Sequence, residues 1–365
     1  MNNGTGNNSR DTTSFGDIVL LPTNSKKKLD KSWVLLSAAG LRRTEHLEKQ
    51  FYPNQVNQSP GLFFVTRTSN FGTTNINALV YANNLWVAGG SSGQIRTSTD
   101  GVTWTTQTSN FGTTNINAVA YGNSLWVAAG STGQIRTSTD AVTWTTRTSN
   151  FGTTNINAVA YGNSLWVAAG NTGQIRTSTD GVTWTTRTSN FGTTNINALV
   201  YANNLWVAGG SSGQIRTSTD GVTWTTRTSN FGSSAIAVCF FGNGIFVAGG
   251  SNGTMRSSTD GITWVSRYPN LIDNIAGVGY GNGIFVASDA IGNMSSSTDG
   301  VTWITQISSF GTTGITAVAY QNSLWIAAGA AGQIRSSDIT KITVPRRHTY
   351  PYTGYNAYVK LGNIK

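Results

Sequence analysis

Thiols, imidazoles and amines are nearly missing from the middle of this chain. It holds one cysteine, Cys239, and two histidines, His46 and His348, in 365 residues. A single thiol excludes an intramolecular disulfide, and no Cys/His spacing of the kind that holds a metal exists. Between residues 61 and 338 there is no lysine, and the charges are eleven arginines and nine aspartates. Nearly all of those aspartates occupy one repeated position, which a lone general acid or base would not explain. No cofactor, metal or catalytic constellation is expected, and the chain does not read as an enzyme. No run of about 18 apolar residues occurs, so membrane insertion is not expected. The opening Met1-Asn2-Asn3-Gly4-Thr5-Gly6-Asn7-Asn8 has neither a basic segment nor an apolar one, so a signal peptide is not expected there.

The net charge of +10 belongs to the two ends. Residues 1–60 carry eight basic and five acidic side chains, and residues 339–365 carry five basic and none acidic. The middle is nearly neutral. A nucleic-acid partner is not expected, because a basic stripe with interleaved aromatics is not evident.

What the chain has is a repeat. Ser98-Thr99-Asp100-Gly101-Val102-Thr103-Trp104 returns with its aspartate at Asp140, Asp180, Asp220, Asp260 and Asp299, and an eroded copy lies at Asp338. A fixed period near 40 residues means a repeat architecture. Residues 67–106 and 187–226 are identical at every position. Ser and Asp side chains bond nearby backbone N–H groups, Gly supplies a positive φ, and the following Val, Thr and Trp suit a strand anchored in a core. This heptapeptide resembles the Asp-box (BNR) hairpin of sialidase-like and photosystem II assembly-factor-like β-propellers, one residue shorter between Asp and Trp. The resemblance implies a structural role for Asp100, Asp140, Asp180, Asp220, Asp260 and Asp299, at the turn between a blade's third and fourth strands.

Each unit reads as four short strands, labelled A to D from the axis outwards: 75–81, 85–90, 94–98 and 102–106 in the first. A and B are almost continuously apolar, which suits blades covered on both faces. The A-B-C part occurs seven times, but a Trp-bearing D strand follows only six of them. Leu62-Phe63-Phe64-Val65-Thr66-Arg67-Thr68 precedes the first unit and supplies the missing strand, with Phe64 in the place of Trp104. The expected fold is all-β: a seven-bladed propeller over 61–338, its last blade closed by the N-terminal strand so that no sheet edge is orphaned.

That closure brings residues 61 and 337 together, so 1–60 and 339–365 are expected to be two halves of one small domain. Gly16-Asp17-Ile18, Trp33-x-Leu35-Leu36, Gly40, Arg43-Thr44 and a helix-like 44–51 resemble the phage tail-collar domain, as does a closing strand at 355–361. Ala39 stands where those domains usually carry aspartate. The resemblance implies a tail-fibre or tail-tip protein of the virion, made in the host cytoplasm. Its implied partners are other phage tail proteins and further copies of itself, a trimer by analogy.

In the standard propeller path the D-to-A and B-to-C loops share one face. There Phe71, Phe111, Phe151, Phe191, Phe231 and Phe310 form a near-sevenfold ring amid Asn70, Asn110, Asn150 and Asn190. These are the candidate ligand-binding residues, because amides and stacking rings suit sugars. A Phe-Gly pair can equally plug a turn and cap the core between blades. Arg96, Arg136, Arg176, Arg216, Arg256 and Arg335 recur once per blade and read as structural, while Asp273 and Asp289 read as loop surface. The expected function is a non-catalytic adhesin for a host-surface glycan or protein, with an assembly or scaffold factor and a head decoration as alternatives.

Overall fold

The computed structural model describes residues 18–22, 33–36, 62, 64–337 and 355–360. The chain divides into two compact units, Met1–Pro60 with Thr340–Lys365, and Gly61–Ile339.

The larger unit is a β-propeller of seven four-stranded antiparallel blades. Blade one shows the local logic. Strand A is Ile76–Ala82, B is Leu85–Gly90, C is Ile95–Ser98 and D is Thr105–Gln107. A and B are joined through Asn83 and Asn84, both left-handed at φ 48° and 59°, the two-residue turn whose twist matches a hairpin. From Trp86 to Gly90 strand B is buried throughout, because a neighbouring blade covers each of its faces. Gly90 has no alternative there: a Cβ would sit 2.3 Å from the Asn75 carbonyl oxygen.

A register shift between Ile76 and Ala78 recurs in all seven A strands. The bulged Asn77 turns sideways, and its Nδ2 donates to the Ile116 carbonyl of the next blade at 2.9 Å. Asn117, Asn157 and Asn197 do the same toward Ile156, Ile196 and Ile236. The inner strands are thus tied blade to blade by side-chain amides.

The core lies between blades. The seam of blades seven and one holds Phe71, Ile76, Leu79, Trp86, Trp104, Ile326 and Ile334. Each large apolar side chain so buried contributes roughly 1.5–3 kcal/mol. Phe64–Arg67 pairs antiparallel with the C strand of blade seven, Phe64 opposite Ser337 and Arg67 opposite Ile334, and closes the ring. Phe64 is buried in the seam of blades six and seven, as Trp104 is in its own.

One sequence expectation is corrected. Residues 102–104 are turn rather than strand, and D strands have only three residues in blades one to six. The Val102 and Thr103 N–H groups go to the Asp100 carboxylate, so they cannot join the ladder.

In the smaller unit Tyr355–Lys360 lies between Ile18–Pro22 and Trp33–Leu36 in an antiparallel sheet, with Leu20 opposite Ala357 and Val34 opposite Val359. The helix expected at 44–51, Gly16, Asp17, Gly40, Arg43, Thr44, both histidines and Asp338 lie outside the described residues.

Candidate functional site

The repeated heptapeptide closes on itself. Ser98 Oγ donates to Asp100 Oδ1 at 2.9 Å and accepts from the Gly101 N–H at 2.8 Å. The same Oδ1 accepts from the Val102 and Thr103 N–H groups, each at 2.8 Å. Gly101 takes φ 73°, and the Ala141 that replaces it in blade two takes φ 60°. Backbone N–H donors, Thr143 foremost for Asp140 and Thr183 for Asp180, hold these carboxyls down at about 2. Asp220 and Asp260 are likewise lowered to about 2. Carboxylates ionised so firmly, with an oxygen given to the turn, do not exchange protons near neutrality.

The phenylalanines do not form a stacking ring. Phe71, Phe111, Phe151, Phe191, Phe231 and Phe310 are only 1–3% exposed. Each ring is covered by the arginine of its own blade: Arg96 Cζ lies 4.7 Å from the Phe71 centroid, and Arg335 lies 4.8 Å from that of Phe310. A ring sealed between two blades and under a guanidinium has no face left for a sugar.

The asparagines are engaged as well. Asn70 is left-handed at φ 62°. Its Nδ2 donates to the Trp104 carbonyl at 2.6 Å, and its own carbonyl accepts from Arg96 Nε at 3.1 Å. Asn110, Asn150 and Asn190 repeat the bond to Trp144, Trp184 and Trp224. Arg96 also gives Nη1 to the Ile95 carbonyl and Nη2 to Gln94 Oε1. In Arg96 and its copies Arg136, Arg176 and Arg216, Nε and both Nη groups are all spent inside the fold.

Sequence reasoning missed a second arginine register, on the outermost strands. Arg147, Arg187, Arg227 and Arg267 occupy one position in the D strands of blades two to five, and Arg67 matches it in blade seven. In each of the four, Nε donates to a hydroxyl on strand C at 2.7–2.8 Å: Thr137, Thr177, Thr217 or Ser257. Blades one and six carry glutamine instead, and Gln107 and Gln306 make the same bond through Nε2 at 2.9 Å. Lining up the Thr-Thr-Arg triplets, rather than counting charge over the whole middle, exposes this register.

Beside Arg147 runs a groove of about 320 Å³, walled by Thr146, Thr148, Asn150, Val182, Thr183 and Trp184. It lies between the D strand of one blade and the C-to-D turn of the next. Another cleft of about 250 Å³ lies at the ring closure between Asp100 and Asn322.

Asp289 is not loop surface. It is fully buried where other blades carry Gly90 or its copies, and it organises the B-to-C loop of blade six. Its Oδ1 accepts from the Asn293 N–H at 2.8 Å and its Oδ2 from Asn293 Nδ2 at 2.8 Å. Nearby, Tyr268 is 82% exposed and Ile272 is 74% exposed.

The geometry defines a β-propeller, and known proteins agree. A family model described as the DUF6242 beta propeller domain matches residues 190–329. No curated protein matches the chain. Among solved structures it is similar to YCF48 from Cyanidioschyzon merolae, at 16% identity and TM-score 0.60, over 75% of this chain and 98% of that one. YCF48 bound to a D1 peptide is similar at 14% identity and TM-score 0.62, over 77% and 96%. The WD40 β-propeller domain of Doa1 is similar at 12% and TM-score 0.62, over 77% and 98%. At such identities the likeness is one of fold.

Proposed function

We propose that the protein is a non-catalytic adhesin of a phage virion, its propeller meeting a host-surface polymer and its two chain ends joining other tail proteins. One observation carries the reading. The strands bearing the collar-like sequences, Ile18–Pro22 and Trp33–Leu36, both pair with the strand Tyr355–Lys360 from the other end of the chain. Two distant pieces, each resembling part of the tail-collar domain, thus belong to one sheet, as an inserted propeller requires. The turns follow the Asp-box logic, with the carboxylate serving the backbone. Recognition through repeated weak sites suits a repetitive receptor, since rigid linkage of such sites raises avidity by about 10²–10⁴.

Purified virions probed with antibody against the propeller test this, with labelled particles viewed by electron microscopy. Label at the tail tip supports the adhesin, label on the head makes the protein a decoration, and absence from the particle overturns the reading in favour of an assembly factor. The peptide held by YCF48 gives that last alternative its ligand class, a peptide rather than a glycan.

A further inference from the structure

The propeller holds two arginine registers that differ in what is left over. In Arg96, Arg136, Arg176 and Arg216 every nitrogen group is engaged. In Arg147, Arg187, Arg227 and Arg267 only Nε is held, and both Nη groups lack a hydrogen-bond or ion-pair partner among the described residues. A guanidinium stays charged at any physiological pH and presents its donors as a planar fork suited to carboxylate or phosphate. Fixing Nε fixes the plane, so little side-chain freedom remains to be lost on binding.

We propose that the rim of blades two to five, at Arg147, Arg187, Arg227 and Arg267, binds the anionic groups of an acidic polysaccharide, one repeat per arginine. Four features carry this. The guanidiniums are pre-aimed and unspent. They recur on four successive blades, so a polymer with regularly spaced anions meets a regularly spaced series of donors. Beside Arg147 the groove walls offer what a sugar needs along with a charge: the hydroxyls of Thr146, Thr148 and Thr183 for its own hydroxyls, and Val182 for an apolar ring face. A groove of about 320 Å³ has room for a sugar ring. Single-stranded nucleic acid fits less well, because it wants aromatic platforms for its bases. The one aromatic in the groove, Trp184, is 2% exposed. The turn aspartates of the blades that follow, Asp180, Asp220, Asp260 and Asp299, give their Oδ1 atoms to bonds within their own turns. The inference rests on the propeller being a binding module and is indifferent to where in a virion it sits.

The test uses the full chain and a variant the protein itself suggests. Gln107 and Gln306 already stand in this register and keep the anchoring bond, so Arg147→Gln, Arg187→Gln, Arg227→Gln and Arg267→Gln together remove charge without removing the anchor. A control carries Lys26→Gln, Lys27→Gln, Lys28→Gln and Lys31→Gln, losing the same charge elsewhere. Both are titrated with long and short polygalacturonate, poly(glycerol phosphate), neutral dextran and single-stranded DNA, alongside thermal melting. We expect wild type to bind an acidic polymer, the long form more tightly than the short, and to ignore dextran. The arginine variant should lose at least about tenfold in affinity, a fraction of the avidity that linked sites supply, while the lysine control keeps it. Preference between polygalacturonate and poly(glycerol phosphate) assigns carboxylate or phosphate as the anion, either supporting the proposal. Should the fourfold variant melt below wild type, the double Arg147→Gln, Arg227→Gln carries the same comparison. The proposal is overturned if wild type binds neither acidic polymer or prefers DNA. It is equally overturned if the arginine variants bind like wild type, or if the lysine control loses as much.

Discussion

The guanidinium of Arg96 lies 4.7 Å from the centroid of the Phe71 ring, and at the one seam where that phenylalanine is replaced, by Leu271, the arginine is replaced as well, by Ser295. The two positions change together because they do one job. An arginine covers the ring and ties down the loop carbonyl, whereas above Leu271 the small, fully buried Ser295 donates Oγ to the Pro269 carbonyl. Cation–π contacts of this kind are worth about 0.5–2 kcal/mol each, more when desolvated.

Removing one of these rings should therefore cost stability rather than binding. Phe151→Ala is expected to destabilise by about 3–5 kcal/mol, the usual penalty for a buried phenylalanine. Denaturant titration measures it. Unchanged stability together with lost host binding would restore the stacking ring.

The turn carboxylates predict an acid limit. Asp140, Asp180, Asp220 and Asp260 are held at about 2, below the ordinary value of 3.8. A depressed carboxyl contributes stability that is complete above the unfolded value and lost as pH falls through the folded one. Melting temperature should stay flat from pH 7 to about 5, and then drop between about 4 and 2. A Ser, Thr and Asn series at Asp180 should flatten that drop in part.

Cys239 is buried between blades four and five with 9% of its surface exposed, and burial pushes its thiol up to about 12. Thiolate is the reactive form. A thiol reagent at pH 8 is expected to leave the native protein unlabelled and to titrate one group after denaturation. Rapid labelling of the folded chain would refute the seam packing there.

The ring closure makes its own forecast. Deleting 61–68 removes the D strand of blade seven and leaves the strand Ile334–Ser337 as an unpaired edge, a template for aggregation. Light scattering and melting check this, with a truncated chain that melts like wild type as the contrary outcome. Phe64→Ala should show a milder loss, roughly 3 kcal/mol.

The periodicity of the turn aspartates and the surplus of A-B-C segments over D strands made the propeller and its closure legible, because both are counts along the chain. The face shared by the Phe-bearing loops was legible too, since it follows from strand order. The state of Phe71 was not. A Phe-Gly loop reads alike whether its ring points out or in, and the deciding partner, Arg96, lies 25 residues away on another strand. Nor was the burial of Asp289, whose carboxylate is satisfied by Asn293 within its own loop. The Thr-Thr-Arg triplets mark the register of Arg147 in sequence, but that its Nη groups are unspent while those of Arg96 are engaged shows only in the hydrogen bonds.

Phe64 faces Ser337 at the outer edge of blade seven, so the chain enters and leaves the propeller side by side. That arrangement has a mechanical side. Tension applied through the two flanking segments pulls neighbouring ends of one antiparallel pair apart. The pair then opens like a zipper, bond after bond, rather than resisting as a shear lap in which all bonds share the load. A ligand gripping other blades would pass its pull to this short ladder of four residue pairs, making it the weakest link under strain.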